Sequence, residues 1–282
     1  MSKILACIDG SVYSESVADH AGWAAGRLGL PVELLRVLGR RAARSDDFSG
    51  SLVAGARRKL LDDLSKLDAE RNRLEHQEAW LALDDAKARV LAAGAPEANG
   101  VVRHGDLIET VDEREEDAEL VIVGKRGEAA DFAALHLGSN LERLVRATRR
   151  PMLIASRAFR PVERLILAFD GGPSARKAVD ALSRSPLYAG VETTLLAVGE
   201  ETGALRGALD AAEAQLRAGG PRVEARIEPG RPDDVIARAV EAEGADLLVM
   251  GAYGHSRLRT LVIGSTTAEL IRGCLVPIAV YR

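Results

Sequence analysis

The sequence predicts an α/β protein made of two tandem, doubly wound, five-stranded parallel-sheet domains of Rossmann-like type, the first with a helical enlargement. Two observations predict it. Short apolar runs alternate with segments of helical spacing, which is the signature of a parallel sheet covered on both faces. The chain also repeats itself once, in the same order. KILACIDG (Lys3 to Gly10) returns as RLILAFDG (Arg164 to Gly171), and AELVIVGKRG (Ala118 to Gly127) returns as ADLLVMGAYG (Ala245 to Gly254). LGSNLERLVRATRRPMLIA (Leu137 to Ala155) then returns as IGSTTAELIRGCLVPIAVY (Ile263 to Tyr281). A repeat of this length marks two copies of a whole domain rather than a solenoid of short units. The predicted domains are 1–157 and 162–282, separated by the polar segment RAFRPVER with Pro161.

In the second copy the elements follow in order. Leu165 to Phe169 is a buried strand, and Ser174 to Leu187 has helical spacing. Thr193 to Val198 is a strand, Gly203 to Ala218 a helix and Arg222 to Glu228 a strand. Pro232 to Glu243 is a helix, Asp246 to Met250 a strand, Ser265 to Arg272 a helix and Pro277 to Tyr281 the last strand. Right-handed crossovers wind such a series into one doubly wound sheet. The first copy is longer between its second and third strands. The extra residues, about 50–94, set leucines and Trp80 among many charges, an amphipathic pattern for one long helix or two joined by a bend. Such a helix either covers the sheet or serves as an interface.

Composition narrows the function. The chain has 282 residues, 47% of them hydrophobic, with 38 basic and 42 acidic side chains and a formal charge of -4. That balance is not that of a nucleic-acid binder. No apolar run approaches the about 18 residues that span a membrane, and the start MSKILACIDGS is too short and acidic for a secretory signal. Cys7 and Cys274 lie far apart in apolar stretches, and suggest a reducing, cytoplasmic setting rather than a disulfide framework. The five histidines lack metal-ligand spacing.

Doubly wound sheets bind ligands at the carboxyl ends of their strands, where strand order reverses. Two features of the second copy converge there. The first strand runs through Ala168 and Phe169 into Asp170-Gly171-Gly172. The fourth ends at Met250-Gly251 and leads into Tyr253, Gly254 and His255. Gly251 and Gly254 permit tight turns and close backbone approach. Gly264-Ser265-Thr266-Thr267 then opens a helix whose free amides suit phosphate oxygens, and the three hydroxyls can donate as well. His255, Arg257 and Arg259 can balance phosphate charge. Asp170 is placed to accept from a ribose or an adenine amino group.

On these residues the chain resembles a tandem universal stress protein, over both halves apart from the helical enlargement. Its Gly251, Gly254, Gly264 and Ser265 match the pattern Gly-x2-Gly-x9-Gly-(Ser/Thr) of the nucleotide-binding branch, and Asp170 and Asp9 match the family's first-strand aspartate. The resemblance implies an adenine nucleotide alpha hydrolase-like fold with ATP in the second domain, Mg or Mn at the phosphates, and Val198 and Met250 as walls for the base. It implies a cytosolic stress-response sensor or regulator with at most slow ATP hydrolysis or autophosphorylation. No catalytic constellation stands beside the glycine loop, and there is no Walker lysine. Two alternatives remain. One is an adenylating ATP pyrophosphatase of the same fold, whose Ser-Gly-Gly-x-Asp-Ser is echoed by Asp170-Gly171-Gly172-Pro173-Ser174 without its leading Ser and internal Asp. The other is a nucleotide-free interaction protein.

The first copy departs from the pattern. Gly124 and Gly127 precede Gly138-Ser139 by one residue more than in the second copy, and Glu128 and Asp131 occupy the stretch in which the second has His255 and Arg257. Carboxylates repel polyphosphate, and Asn140 and Leu141 replace two hydroxyl donors. Lys125 and Arg126 argue the other way. The site at Asp9, Gly124, Gly127, Gly138 and Ser139 is therefore expected to be the weaker. The last strands, Met152 to Ala155 and Ile278 to Tyr281, are apolar edges that invite pairing. The resemblance implies a pseudo-dimer within the chain through them, and a homodimer of chains is the expected assembly.

Overall fold

A computed structural model describes residues 2–39, 54–125, 139–220, 222–252 and 264–282, with the side chains of 54–60 and 139 left aside. The first half contains β1 (Lys3–Cys7), α1 (Ser14–Leu28), β2 (Val32–Gly39), α2 (Ala54–Ala92), β3 (Ala98–Gly105), α3 (Leu107–Arg114), β4 (Ala118–Gly124), α4 (Ser139–Ala147) and β5 (Met152–Ala155). The second contains β6 (Arg164–Ala168), α5 (Pro173–Arg184), β7 (Glu192–Val198), α6 (Gly203–Ala218), β8 (Val223–Glu228), α7 (Pro232–Glu243), β9 (Leu247–Gly251), α8 (Ser265–Gly273) and β10 (Ile278–Tyr281).

Each half is a five-stranded parallel sheet, as the alternation of elements predicts, and the two run together into one ten-stranded sheet. Its order is β3-β2-β1-β4-β5-β10-β9-β6-β7-β8. The join is antiparallel, with Ile278 opposite Ile154, Ala279 opposite Leu153 and Val280 opposite Met152. Pairing the two edges satisfies backbone groups that would otherwise offer themselves to another chain. The strands in the middle of the sheet are buried on both faces, so they read as continuous apolar runs. Alternate side chains feed two cores. Leu165, Leu167 and Phe169 enter the core under α1, α2, α5 and α6, while Ile166, Ala168 and Met250 enter the core under α3, α4, α7 and α8.

One helix ends earlier than the sequence reading, and the enlargement takes the first of its two readings. α5 stops at Arg184 rather than Leu187, because Ser185 precedes a proline and takes an extended conformation; Pro186–Tyr188 then forms a 3-10 turn. The enlargement is one uninterrupted helix of 39 residues, about 58 Å long at 1.5 Å per residue. Ala79, Leu83, Ala86 and Val90, spaced four, three and four apart, bury its C-terminal part against the sheet and α1. The approach is close: a Cβ on Gly22 of α1 would lie 2.4 Å from the Ala93 Cβ, so only glycine fits there. Arg89 of α2 reaches Glu15 and Asp19 of α1, at 2.5 and 3.1 Å.

Side chains also clamp the halves together. The Lys125 ammonium donates to the Cys274 carbonyl, and Arg282 donates to the carbonyls of Arg146, Ala147 and Thr148 at the end of α4. A cation at a helix C-terminus meets both the unpaired carbonyls and the negative end of the helix dipole. Arg27 of α1 donates to Leu187 and Ala189 in the other half, and the buried Tyr188 and Tyr281 hydroxyls bond at 2.7 Å.

Candidate functional site

In the second half β6 is flanked by β7 on one side and β9 on the other, so strand order reverses between β6 and β9. Ala168 pairs with Met250 in register, so Asp170 and Gly251 both lie just beyond that pair, at the carboxyl ends of the two strands. Ala168, Met250 and Val198 face the same side of the sheet; Ala168 and Met250 are nearly closed off, while Val198 is partly open. Phe169 is brought to the site only through its backbone. Its ring is buried in the opposite core, and its amide donates to the Leu196 carbonyl.

The strand-end loop is shaped by glycines. Gly171 has φ +75°, a conformation that a side chain disfavours. At Gly172 a Cβ would lie 2.9 Å from Asp170 Oδ1, and the Gly172 amide donates to that oxygen at 2.8 Å. The loop thus holds the carboxylate at the crevice. Gly251 is demanded by the chain itself: a Cβ there would lie 2.8 Å from the Ser174 Cβ and 2.9 Å from the Ala175 amide in the first turn of α5.

α8 begins beside the end of β9. Gly264 is its N-cap and supplies no side chain, so Ser265 is the first helical residue rather than the cap. Ser265 is exposed and Thr266 half-buried. Thr267 is buried, and its hydroxyl donates to the Ala252 carbonyl at 3.4 Å, which commits that donor within the chain. A Cβ on Gly264 would meet nothing described closer than 3.6 Å, so no described protein atom requires glycine there. That leaves space beside a helix N-terminus, the arrangement that accepts an anion. Tyr253, Gly254, His255, Arg257 and Arg259 lie outside the described residues.

The corresponding corner of the first half carries different chemistry. Asp9 Oδ1 accepts from the Ser11 amide at 3.0 Å and from the Ser14 hydroxyl at 3.1 Å, and Ser14 Oγ accepts from the Gly10 amide at 2.9 Å. The second half has Ala175 at the position of Ser14. Cys7 stands for Ala168, and burial, then the charges of Asp9 and Glu33, push its thiol up to about 12, so it stays protonated. Lys125 follows Gly124 but is drawn to the Cys274 carbonyl. Both cysteines are free thiols. Ser139 opens α4, while Arg126, Gly127, Glu128, Asp131 and Gly138 lie outside the described residues.

Sequence reasoning did not find the clamps made by Arg27, Lys125, Arg282 and the two tyrosines. No local pattern marks them, because each joins residues more than ninety positions apart. Among the described residues there is no group of three or more His, Cys, Asp or Glu that could hold a metal ion. Nor is any described helix long and apolar enough to cross a membrane.

Comparison with known proteins agrees with this architecture. The family model described as the universal stress protein family matches residues 1–156 and 179–282. The chain is similar to universal stress protein Slr1230 of Synechocystis, at 35% identity over 288 residues that cover all of both chains. Among solved structures, a universal stress protein from Archaeoglobus fulgidus superposes with a TM-score of 0.71 at 22% identity, covering 99% of this chain and 98% of that one. One from Pseudomonas aeruginosa superposes at 0.65 and 17% identity, covering 100% and 93%.

Proposed function

The chain belongs to the universal stress protein family, and from that premise we propose that its second half binds ATP and that the protein acts in the cytosol as a nucleotide-dependent sensor or regulator. One observation carries the reading. Asp170 follows the end of β6, Ala168, Val198 and Met250 face one side of the sheet, and the N-terminus of α8 lies beside the end of β9, where strand order reverses. In this reading Asp170 accepts from the ribose or the adenine amino group. The apolar wall takes the base, and the amides at the start of α8, with the hydroxyls of Ser265 and Thr266, take phosphate oxygens. Mg or Mn would come with the phosphates and offset their charge, with the hydroxyls of Ser265 and Thr266 the nearest protein oxygens to it in this reading. Bound nucleotide then biases conformation or partner choice, which requires different affinities in two states.

The edge-to-edge pairing of β5 with β10 supports reading the chain as a pseudo-dimer of two like domains. Hydrolysis, where it occurs, is slow in this reading and serves as a timer. The test is direct. Protein purified without added nucleotide is denatured, and the supernatant is run by ion-pair chromatography, with calorimetry of the stripped protein against ATP. Retained ATP or measurable binding is the expected result. Neither would leave an interaction protein with vestigial sites, and pyrophosphate release with an acceptor would turn the reading to an adenylating enzyme.

A further inference from the structure

The part of α2 that does not touch the sheet has its own pattern. Side chains from Leu61 to Leu74 are exposed. Leu67 and Leu74 within that run and Leu81 beyond it recur every seven residues, with Leu64 beside them, and in sequence Leu60 begins the run. Leu67 is 62% exposed, Leu74 53% and Leu81 66%. A seven-residue repeat of leucine along one helix matches the seam of a left-handed pair of helices. This seam is not an extension of the face that packs on the sheet. At about 100° per residue it lies roughly a third of a turn from Ala79, Leu83, Ala86 and Val90. Among the described residues nothing covers it, although the same helix is anchored firmly at its other end.

The charges beside the seam decide what fits it. Asp63, Glu70, Asp68 and Glu75 border Leu67 and Leu74 on its two sides, and Glu78 lies within it. The basic residue on this face, Arg71, is paired with Glu75 at 3.1 Å. Lys66 and Arg73 sit roughly a third of a turn away. Two copies of the seam would bring carboxylates against carboxylates, which opposes self-pairing. We propose that residues 61–81 of α2 form a docking surface for a partner helix of opposite character, with apolar residues at heptad spacing bordered by lysine or arginine. Leucines supply the buried area, and the acidic borders select the basic partner and speed its encounter.

The experiment uses the full chain and two synthetic three-heptad peptides with leucine at both core positions. One has lysine at the flanking positions and the other glutamate. Fluorescence anisotropy should show the lysine peptide binding, more weakly as salt is raised, and the glutamate peptide weaker by at least about tenfold, equivalent to 1.4 kcal/mol. The Leu67→Glu/Leu74→Glu chain should lose the lysine peptide while keeping its circular dichroism and melting temperature, since both leucines are exposed. Equal binding of the two peptides, no binding of either, or binding retained by the double variant overturns the proposal. So does self-association of the native chain, measured by sedimentation equilibrium, that the double variant abolishes.

Discussion

The two halves share a backbone plan and differ at its working end. In the second half a strand-end aspartate meets an apolar wall and a helix start with an unfilled glycine N-cap. In the first half the equivalent aspartate, Asp9, is engaged by the Ser14 hydroxyl, and the lysine after Gly124 is spent on a carbonyl of the other half. Charges change sign as well. At the N-cap of α3 stands Asp106, paired with Arg143 of α4 at 3.3 Å, whereas the N-cap of α7 is Arg231, with Glu269 of α8 nearby. The first half carries the long α2 and commits Lys125 to a carbonyl of the other half, while in the second no described atom lies closer than 3.6 Å to a Cβ placed on Gly264.

The sharpest way to break this contrast is at the paired glycines of the loop. Gly254→Val should abolish ATP retention, a loss beyond about 100-fold or 2.8 kcal/mol, while Gly127→Val should leave it within about twofold by calorimetry. The reverse result assigns the nucleotide to the other half. Next in size are the strand-end aspartates. Asp170→Ala should weaken ATP by about 10- to 100-fold, the range for a lost hydrogen bond to a charged group, and Asp9→Ala should leave the ATP titration unchanged. Equal losses from both variants would mean two working sites.

The clamps sharpen the contrast in stability. Lys125→Ala and Arg282→Ala should each lower unfolding free energy by about 1–2 kcal/mol in urea titrations, because each leaves the last carbonyls of a helix without a cation. No change in either would mean that strand pairing alone holds the halves. The smallest expected effect is in pH. His20 of α1 is fully buried, its Nδ1–H donating to the Ser16 carbonyl at 2.7 Å and its Nε2 without a hydrogen-bond partner among the described residues, with Phe159 of the segment between the halves edge-on at 4.9 Å. Burial pushes this imidazole below its ordinary value of 6.5. The unfolded chain therefore binds more protons as pH falls below 6.5, and stability declines from there towards the lowered value, by at most about 1.4 kcal/mol per pH unit. His20→Leu should remove that part of the acid limb in melts between pH 7 and 5. An unchanged limb would mean that carboxylates carry it.

Much of this was legible in the sequence for a local reason. Apolar runs at strand length, glycines after strands and Pro173 and Pro232 at helix starts each act on a few neighbouring residues, and the repeat doubled the signal. The placement of the second half's candidate residues was readable to the extent that strand ends fix it: Ala168, Asp170, Met250 and Gly251 fall at the ends of β6 and β9 by strand alternation and register. What each residue does there was less legible. Phe169 alternates to the far face, Thr267 turns its hydroxyl to Ala252, and Gly251 answers to the first turn of α5. α2 read as amphipathic, but its two faces, one on the sheet and one outward, have no separate signature in a list of leucines.

By itself, then, the sequence determined the number of halves, the order of their elements and the inequality of their glycine segments, since these rest on covalent order and short-range sterics. Only the tertiary structure decided the antiparallel register in which β5 and β10 join, that Lys125 and Arg282 each close a helix of the opposite half, and that no described residue covers the leucine seam of α2. Those features depend on residues distant in the chain coming within a few ångströms, and the free energy that brings them there belongs to the packed whole rather than to any segment.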